Sequence, residues 1–235
     1  MKLVVKQVQK KFEKKEVLKQ INYEFEEGKI YGLLGRNGAG KTTLFNCLNH
    51  DIPIDSGEFY FQQGEEKRKV TPADIGYVLS TPAVPEFLTG REFLKFFLEI
   101  NEKTIENLKT IDEYFDFMKI DEEDRNKLLK DYSHGMKNKM QMLVNFIANP
   151  ELLLLDEPLT SLDVVVAEEM KQMLKEMKQN HIIIFSTHIM ELAFSLCDEI
   201  VILNQGELSK IETNQETEEE LKQKIIQALK EEAND

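Results

Sequence analysis

The sequence predicts an α/β fold: a mostly parallel sheet core, an N-terminal antiparallel β region and an inserted α-helical subdomain. Three observations predict it. Wholly apolar runs at residues 152–155 and 182–185 read as strands buried on both faces, and helical stretches alternate with them. Residues 3–8 and 21–25 alternate apolar and polar instead, as half-buried strands do. From about residue 92 to 148 the apolar period becomes that of helices. A chain of 235 residues can form one large α/β domain. We expect a core domain over 1–210, with the helical subdomain at about 85–149, and a short helical tail over 211–235.

Taken in order, the strand at 3–8 is followed by a polar turn at 10–15, whose lysines read as a solvated face around one aromatic, Phe12. After the strand at 21–25, Glu27-Gly28-Lys29 forms a turn. Ile30-Tyr31-Gly32-Leu33-Leu34 then reads as a buried strand, and Leu44-Phe45-Asn46-Cys47-Leu48 as the first turns of a helix. Between them lie Gly35, Arg36, Asn37, Gly38, Ala39, Gly40, Lys41, Thr42 and Thr43, which fit G-x-x-x-x-G-K-[ST]. Strand, glycine loop and helix are the context a phosphate-binding loop requires. The glycines let successive N–H groups turn inward on phosphate oxygens, and the helix start adds partial positive charge. Lys41 would reach the β- and γ-phosphates, and the Thr42 hydroxyl would hold Mg2+.

Further strands are expected at 58–61 and 75–79, with an exposed polar stretch at 62–69 between them. Phe93, Leu94, Phe96, Phe97 and Ile100 make one apolar helical face, and Ile105, Leu108, Ile111, Tyr114, Phe115 and Met118 continue at helical spacing. Most of these aromatics read as core. After Asn149-Pro150 the α/β rhythm returns: a strand at 152–155, a helix at 164–178, a strand at 182–185, a short helix at 190–196 and a strand at 200–203 closed by Asn204-Gln205-Gly206. In the tail, Thr217-Glu218-Glu219-Glu220 fits a capping box, and Leu221, Ile225 and Leu229 share one stripe that packs on the domain or on a partner. Residues 231–235 are expected to fray.

Asp156 and Glu157 end the first wholly apolar run, at the strand edge where ligands bind in open α/β sheets. Side chains alternate along a strand, so one carboxylate can serve a metal while the other faces the γ-phosphate as a base. His188 ends the next buried strand. It is either an ordinary polar cap or a group that hydrogen-bonds a γ-phosphate or orients water. Tyr132-Ser133-His134-Gly135-Met136 opens the helix running to residue 148. Ser133 is an N-cap there, and a helix start with serine and glycine either caps only or also holds an anion.

The order of these motifs resembles the ATP-binding cassette ATPases of ABC transporters, over about residues 3–208. GRNGAGKTT, LLLLDEP, TSLD and STH are jointly very specific. The resemblance implies a RecA-like phosphate-loop core, with ATP and Mg2+ as ligands. It places Phe12 where an aromatic stacks on adenine, and Ser133 and Gly135 in a signature that reaches the ATP of a facing subunit. Leu162 and Asp163 fall in a loop crossing the dimer interface, Glu157 is the catalytic base and His188 the switch histidine. Two departures stand out. The signature is usually Leu-Ser-Gly-Gly-Gln, and His134 here replaces a glycine. After the strand at 75–79 the family commonly has a glutamine that touches Mg2+ and the attacking water. Ser80 takes its place, and its shorter side chain weakens the expectation of tight metal ligation and fast hydrolysis.

The resemblance further implies an ATPase subunit of a transporter, with a second cassette, identical or different, and separate membrane-spanning permease subunits as partners. The expected place is the cytoplasmic face of the cell membrane, reached through the membrane partner. Residues 82–89, with Phe87 and Leu88, either face that partner or belong to the core of the insert. The alternatives are a soluble cassette ATPase acting on nucleic acid or ribosomes, and an unrelated phosphate-loop enzyme such as a nucleotide kinase. A net charge of −13 argues against wrapping nucleic acid. No apolar run approaches the ~18 residues of a membrane span. The first residues are too interrupted for a signal peptide, and Cys47 and Cys197 show no metal-ligand spacing, which fits a reducing cytoplasm.

Overall fold

A computed structural model describes residues 1–103, 105, 108–159, 162–212 and 217–230, the last of them by its backbone alone. The expected fray at 231–235 and the Thr160-Ser161 part of the TSLD motif lie outside the described residues.

Two sheets stack. The first is antiparallel and built from β1 (Lys2–Phe12), β2 (Lys15–Glu26), β4 (Ser56–Gln63) and β5 (Glu66–Lys69), in the order β2-β1-β4-β5. The second contains β3 (Lys29–Leu34), β6 (Ile75–Val78), β7 (Leu152–Asp156), β8 (Ile182–Thr187), β9 (Glu199–Asn204) and β10 (Glu207–Ile211). Its order is β10-β9-β3-β8-β7-β6, parallel from β9 to β6, with β10 antiparallel at the edge.

The buried runs serve both faces of this second sheet, as a period of two requires. Leu152, Leu154, Ile182 and Ile184 pack with Leu3, Val5, Phe25 and Phe45, beneath the antiparallel sheet and α1 (Lys41–Leu48). Leu153, Leu155, Ile183 and Phe185 pack on the opposite face with Met140, Leu143, Met170 and Leu174. That face is covered by α4 (His134–Ala148) and α5 (Val164–Met177). The inserted helices α2 (Gly90–Asn101) and α3 (Ile111–Phe117) join the same core through Leu94, Leu98 and Phe115. Thr89–Glu92 and Thr110–Glu113 capping boxes start them.

Several elements differ from the sequence reading. The strand expected at 3–8 runs on to Phe12, so the turn is only Glu13-Lys14. Lys10 is not solvated: it is 8% exposed, and its Nζ donates to Pro53 O at 2.7 Å and to Asp55 Oδ1 at 3.2 Å. Within the polar stretch at 62–69, β5 forms a hairpin with β4 although all four of its residues are exposed. Strand β10 beyond Gly206 was not expected. The tail helix α7 (Glu218–Lys230) starts at the expected capping box, with Thr217 N donating to Glu220 Oε2 at 2.8 Å. Its stripe packs on the domain: Ile225 is fully buried with Leu34, Ala193, Ile200 and Ile202. That cluster includes α6 (Met190–Leu196).

Candidate functional site

The loop between β3 and α1 is shaped by its glycines. Gly40 caps α1 at φ 106°, and a Cβ there would lie 3.0 Å from Val17 Cγ1. Gly38, at φ 81°, has open space where a Cβ would be. Both take a left-handed conformation that costs an ordinary residue about 1–2 kcal/mol. The side chain of Lys41 curls back into the loop, donating to Gly35 O at 2.8 Å and Arg36 O at 3.2 Å. Lys41 is only 6% exposed. Burial pushes its pKa below the ordinary lysine value, and the carboxylates of Glu157 and Asp156 oppose that shift.

The ends of β7 and β8 meet this loop. Parallel pairing sets Asp156 beside Ser186. Asp156 accepts from Thr42 Oγ1 at 2.8 Å on one oxygen and from Ser186 Oγ at 2.6 Å on the other. Ser186 also accepts from Glu157 N, at 3.0 Å to its hydroxyl and 3.2 Å to its carbonyl. Glu157 is held at φ 50°, an uncommon state for a non-glycine residue and one that clusters at active sites. The turn throws its carboxylate away from Asp156. Glu157 Oε1 lies 3.9 Å from Lys41 Nζ, and Oε2 lies 3.1 Å from His188 Nδ1. The alternation expected of the two acids therefore appears as two separate environments.

Lys41, Thr42, Asp156 and Glu157 line a cleft of about 420 Å³ with Phe12, Val17, Thr43 and Ser80. Phe12 is 46% exposed at its mouth, with Lys10 Nζ 5.4 Å from the ring centroid. His188 opens on an adjoining cleft of about 370 Å³ with Gly35, Arg36, Asn37 and Leu229. A larger cleft of about 660 Å³ lies under the β4–β5 hairpin, beside Cys47, Ile52 and Lys69. It holds none of the phosphate-loop or strand-end groups, so volume alone does not identify the site.

Ser133 and Gly135 do not line the 420 Å³ cleft. Ser133 caps α4, accepting from Met136 N at 3.2 Å, and both Ser133 and His134 are exposed. Gly135 faces Leu162, whose Cδ2 would sit 3.6 Å from an added Cβ. Asp163 caps α5 by accepting from Val166 N at 3.0 Å. The signature turn and the Leu162-Asp163 segment are thus neighbours on an open surface. Ser186 is the residue that sequence reasoning missed. Its signal is a hydroxyl ending an apolar strand, but its partner depends on the pairing of β7 with β8.

The ABC transporter family matches residues 18–160. An uncharacterized ABC transporter ATP-binding protein of Bacillus subtilis, YdbJ, is 31% identical over 96% of this chain and 73% of its own length. An uncharacterized ABC transporter ATP-binding protein of Methanocaldococcus jannaschii is 36% identical over 87% of this chain and 75% of its own length. The Bacillus subtilis linearmycin resistance ATP-binding protein LnrL is 31% identical over 90% and 69%. Among solved structures, an ATP-binding subunit of an ABC transporter superposes with a TM-score of 0.79 at 22% identity, over 96% of this chain and 100% of that one. A cassette solved as a dimer in a post-hydrolysis state with ADP and Pi gives 0.73 at 22%, over 90% and 100%. These structural likenesses bear on the fold. With the sequence relatives they lead to one conclusion: the chain belongs to the ABC transporter family, as an ATP-binding cassette with ATPase activity.

Proposed function

We propose that this cassette binds Mg-ATP in the cleft between Phe12 and Glu157, pairs with a second cassette across its Ser133–Leu162 surface, and drives transport through separate membrane-spanning permease subunits. The observation that carries the ligand reading is the chain Thr42–Asp156–Ser186–Glu157, which ties the phosphate loop to both strand-end acids. The donor set fits Mg2+. Thr42 Oγ1 and Asp156 Oδ2 are hard oxygens 2.8 Å apart beside the phosphate loop. Mg2+ is commonly held by one or two protein oxygens plus phosphates and water.

When bound, Mg2+ neutralises charge on the β- and γ-phosphate oxygens. The residues supply the rest. Lys41 leaves the loop carbonyls for the phosphates, whose charge restores the ammonium that burial disfavours. Loop N–H groups and the start of α1 orient the phosphates. Glu157, free of the Thr42–Asp156 contact, takes the proton of the attacking water. His188, 3.1 Å from it, fixes the carboxylate's direction. Ser80 lines the cleft at the glutamine position, and its short side chain would reach a bound metal only through a bridging water.

Ser133 and Gly135 lie outside this cleft, which supports a role on the nucleotide of a second cassette, identical or different. Phe87 is 79% exposed, so it is not part of the insert core and is available to a membrane partner. Among the described residues no helix is long and apolar enough to cross a membrane. A place on the cytoplasmic face would come through that partner. Nucleic acid is disfavoured as a partner by the charge of −13. The test is purification from membranes: the chain should be recovered with a multi-span protein and release phosphate from ATP. Recovery on ribosomes or nucleic acid would instead support the soluble alternative.

Two expectations follow from the cleft walls. Phe12→Ala should weaken ATP and GTP binding alike by roughly 1–3 kcal/mol, since every base has a π-face to stack. Unaltered affinity in a calorimetric titration would reduce Phe12 to a hairpin residue. Ser80→Gln should leave the turnover of the assembled complex equal or higher, because it restores a side chain long enough to reach metal and water. A large fall in phosphate release would give Ser80 a task of its own.

A further inference from the structure

Helix α4 carries polar residues at four-residue intervals: Ser133 at its N-cap, then Lys137 and Gln141. That spacing sets them along one side of the helix. Lys137 and Gln141 hold the segment that follows β6. Lys137 Nζ lies 2.7 Å from Glu86 Oε1. Gln141 is 5% exposed and uses both ends of its amide. Its Nε2 donates to Leu79 O at 3.1 Å, and its Oε1 accepts from Ala83 N at 2.9 Å. Only this orientation of the amide satisfies a carbonyl and an N–H together.

These two bonds bracket Ser80, Thr81 and Pro82. Those three residues make no backbone–backbone hydrogen bond among the described residues. The turn that presents Ser80 to the cleft is therefore tied on both sides to one buried side chain of α4. The N-terminal end of the same helix carries Ser133 and Gly135. Eight residues separate Ser133 from Gln141, about 12 Å along the helix axis.

We propose that Gln141 is the positioning residue that makes residues 79–83 an extension of α4, so that a displacement at the Ser133–Gly135 end moves Ser80 over the chain's own nucleotide cleft. This rests on the reading of that cleft as the ATP site and of Ser133 as a contact to a second nucleotide. The two sites of a paired cassette would then be linked through one helix and one amide.

Gln141→Met keeps length and apolar bulk and deletes both bonds. Gln141→Glu keeps an acceptor for Ala83 N and serves as the conservative rescue. In nucleotide-free protein, hydrogen exchange at the Ala83 amide should be about tenfold or more faster in Gln141→Met, and near the parent rate in Gln141→Glu. In titration, ATP affinity should stay within about twofold in both variants. In turnover, Gln141→Met should lower kcat by about tenfold with KM near the parent value, and flatten any sigmoidal dependence on ATP. Unchanged Ala83 exchange in Gln141→Met would overturn the proposal. So would a parallel loss of ATP affinity, which would mark Gln141 as a general packing residue. A parent chain that fails to bind Mg-ATP would instead remove the reading of the cleft, whatever the exchange data show.

Discussion

Glu157→Gln is expected to bind ATP and keep it, with hydrolysis lower by about two or more orders of magnitude. The substitution keeps the side chain's shape and removes its basicity. Thr42 and Asp156 are untouched, and their 2.8 Å contact does not involve Glu157. Retention of the backbone turn is expected because Ser186 holds Glu157 N, a contact that either side chain leaves in place. Removal of a negative charge 3.9 Å from Lys41 also favours a polyanion at that position. Since Ser133 and Gly135 lie outside their own cleft, uncleaved ATP should hold two cassettes together. Size exclusion with light scattering, run with and without Mg-ATP beside a phosphate-release assay, measures both effects. Near-normal turnover would end the assignment of Glu157 as base. Lost turnover without a dimer would point to a different cassette as partner, or to His134 and Met136 as obstacles to self-pairing.

Lys41→Ala should abolish tight ATP binding. Truncating a buried charge that pairs with an anion costs about 2–5 kcal/mol, much of it from the partner left behind. The fold should persist, because the ammonium is disfavoured by burial and its bonds go to loop carbonyls rather than across the core. Calorimetric titration with Mg-ATP, alongside a circular dichroism spectrum like the parent's, checks both halves. Parental affinity would refute the phosphate-loop assignment.

The parts legible in the sequence are those whose physics is local. Glycines, Lys41 and Thr42 fall within one short stretch, and the loop they form needs only a strand before it and a helix after it. The apolar runs ending at Asp156 and Thr187 announce buried strands by composition alone. The capping box at Thr217 is a four-residue pattern, and it forms as read. What escaped depends on distant pairing. Strand β5 is charged and exposed throughout, so it shows no apolar face, and only its register with β4 makes it a strand. Lys10 looks like part of a solvated turn until Pro53 and Asp55 fold against it. Ser186 and Gln141 act through residues about 30 and 60 positions away. Neither hydroxyl nor amide declares that in its own neighbourhood. The stripe of Leu221, Ile225 and Leu229 was visible, while the surface it covers was set by where β9 and α6 lie.

The strand order also bears on how the chain is made. Strand β3, which launches the phosphate loop, pairs with β8 and β9 and with no strand near it in sequence. Its first in-sheet neighbour begins at Ile182. At roughly 5–20 residues per second, a ribosome needs about 8–30 s to add the ~150 residues between them. During that interval both edges of β3, an apolar strand, are without their partners. The antiparallel sheet can form early from β1, β2, β4 and β5, and it covers one face of β3 but neither edge. Newly made chains are therefore exposed to edge-to-edge association until the C-terminal third has emerged. On the proposed reading of the cleft, nucleotide meets Asp156 of β7 as well as the loop after β3, so it would stabilise the chain only once that strand is in place beside the loop.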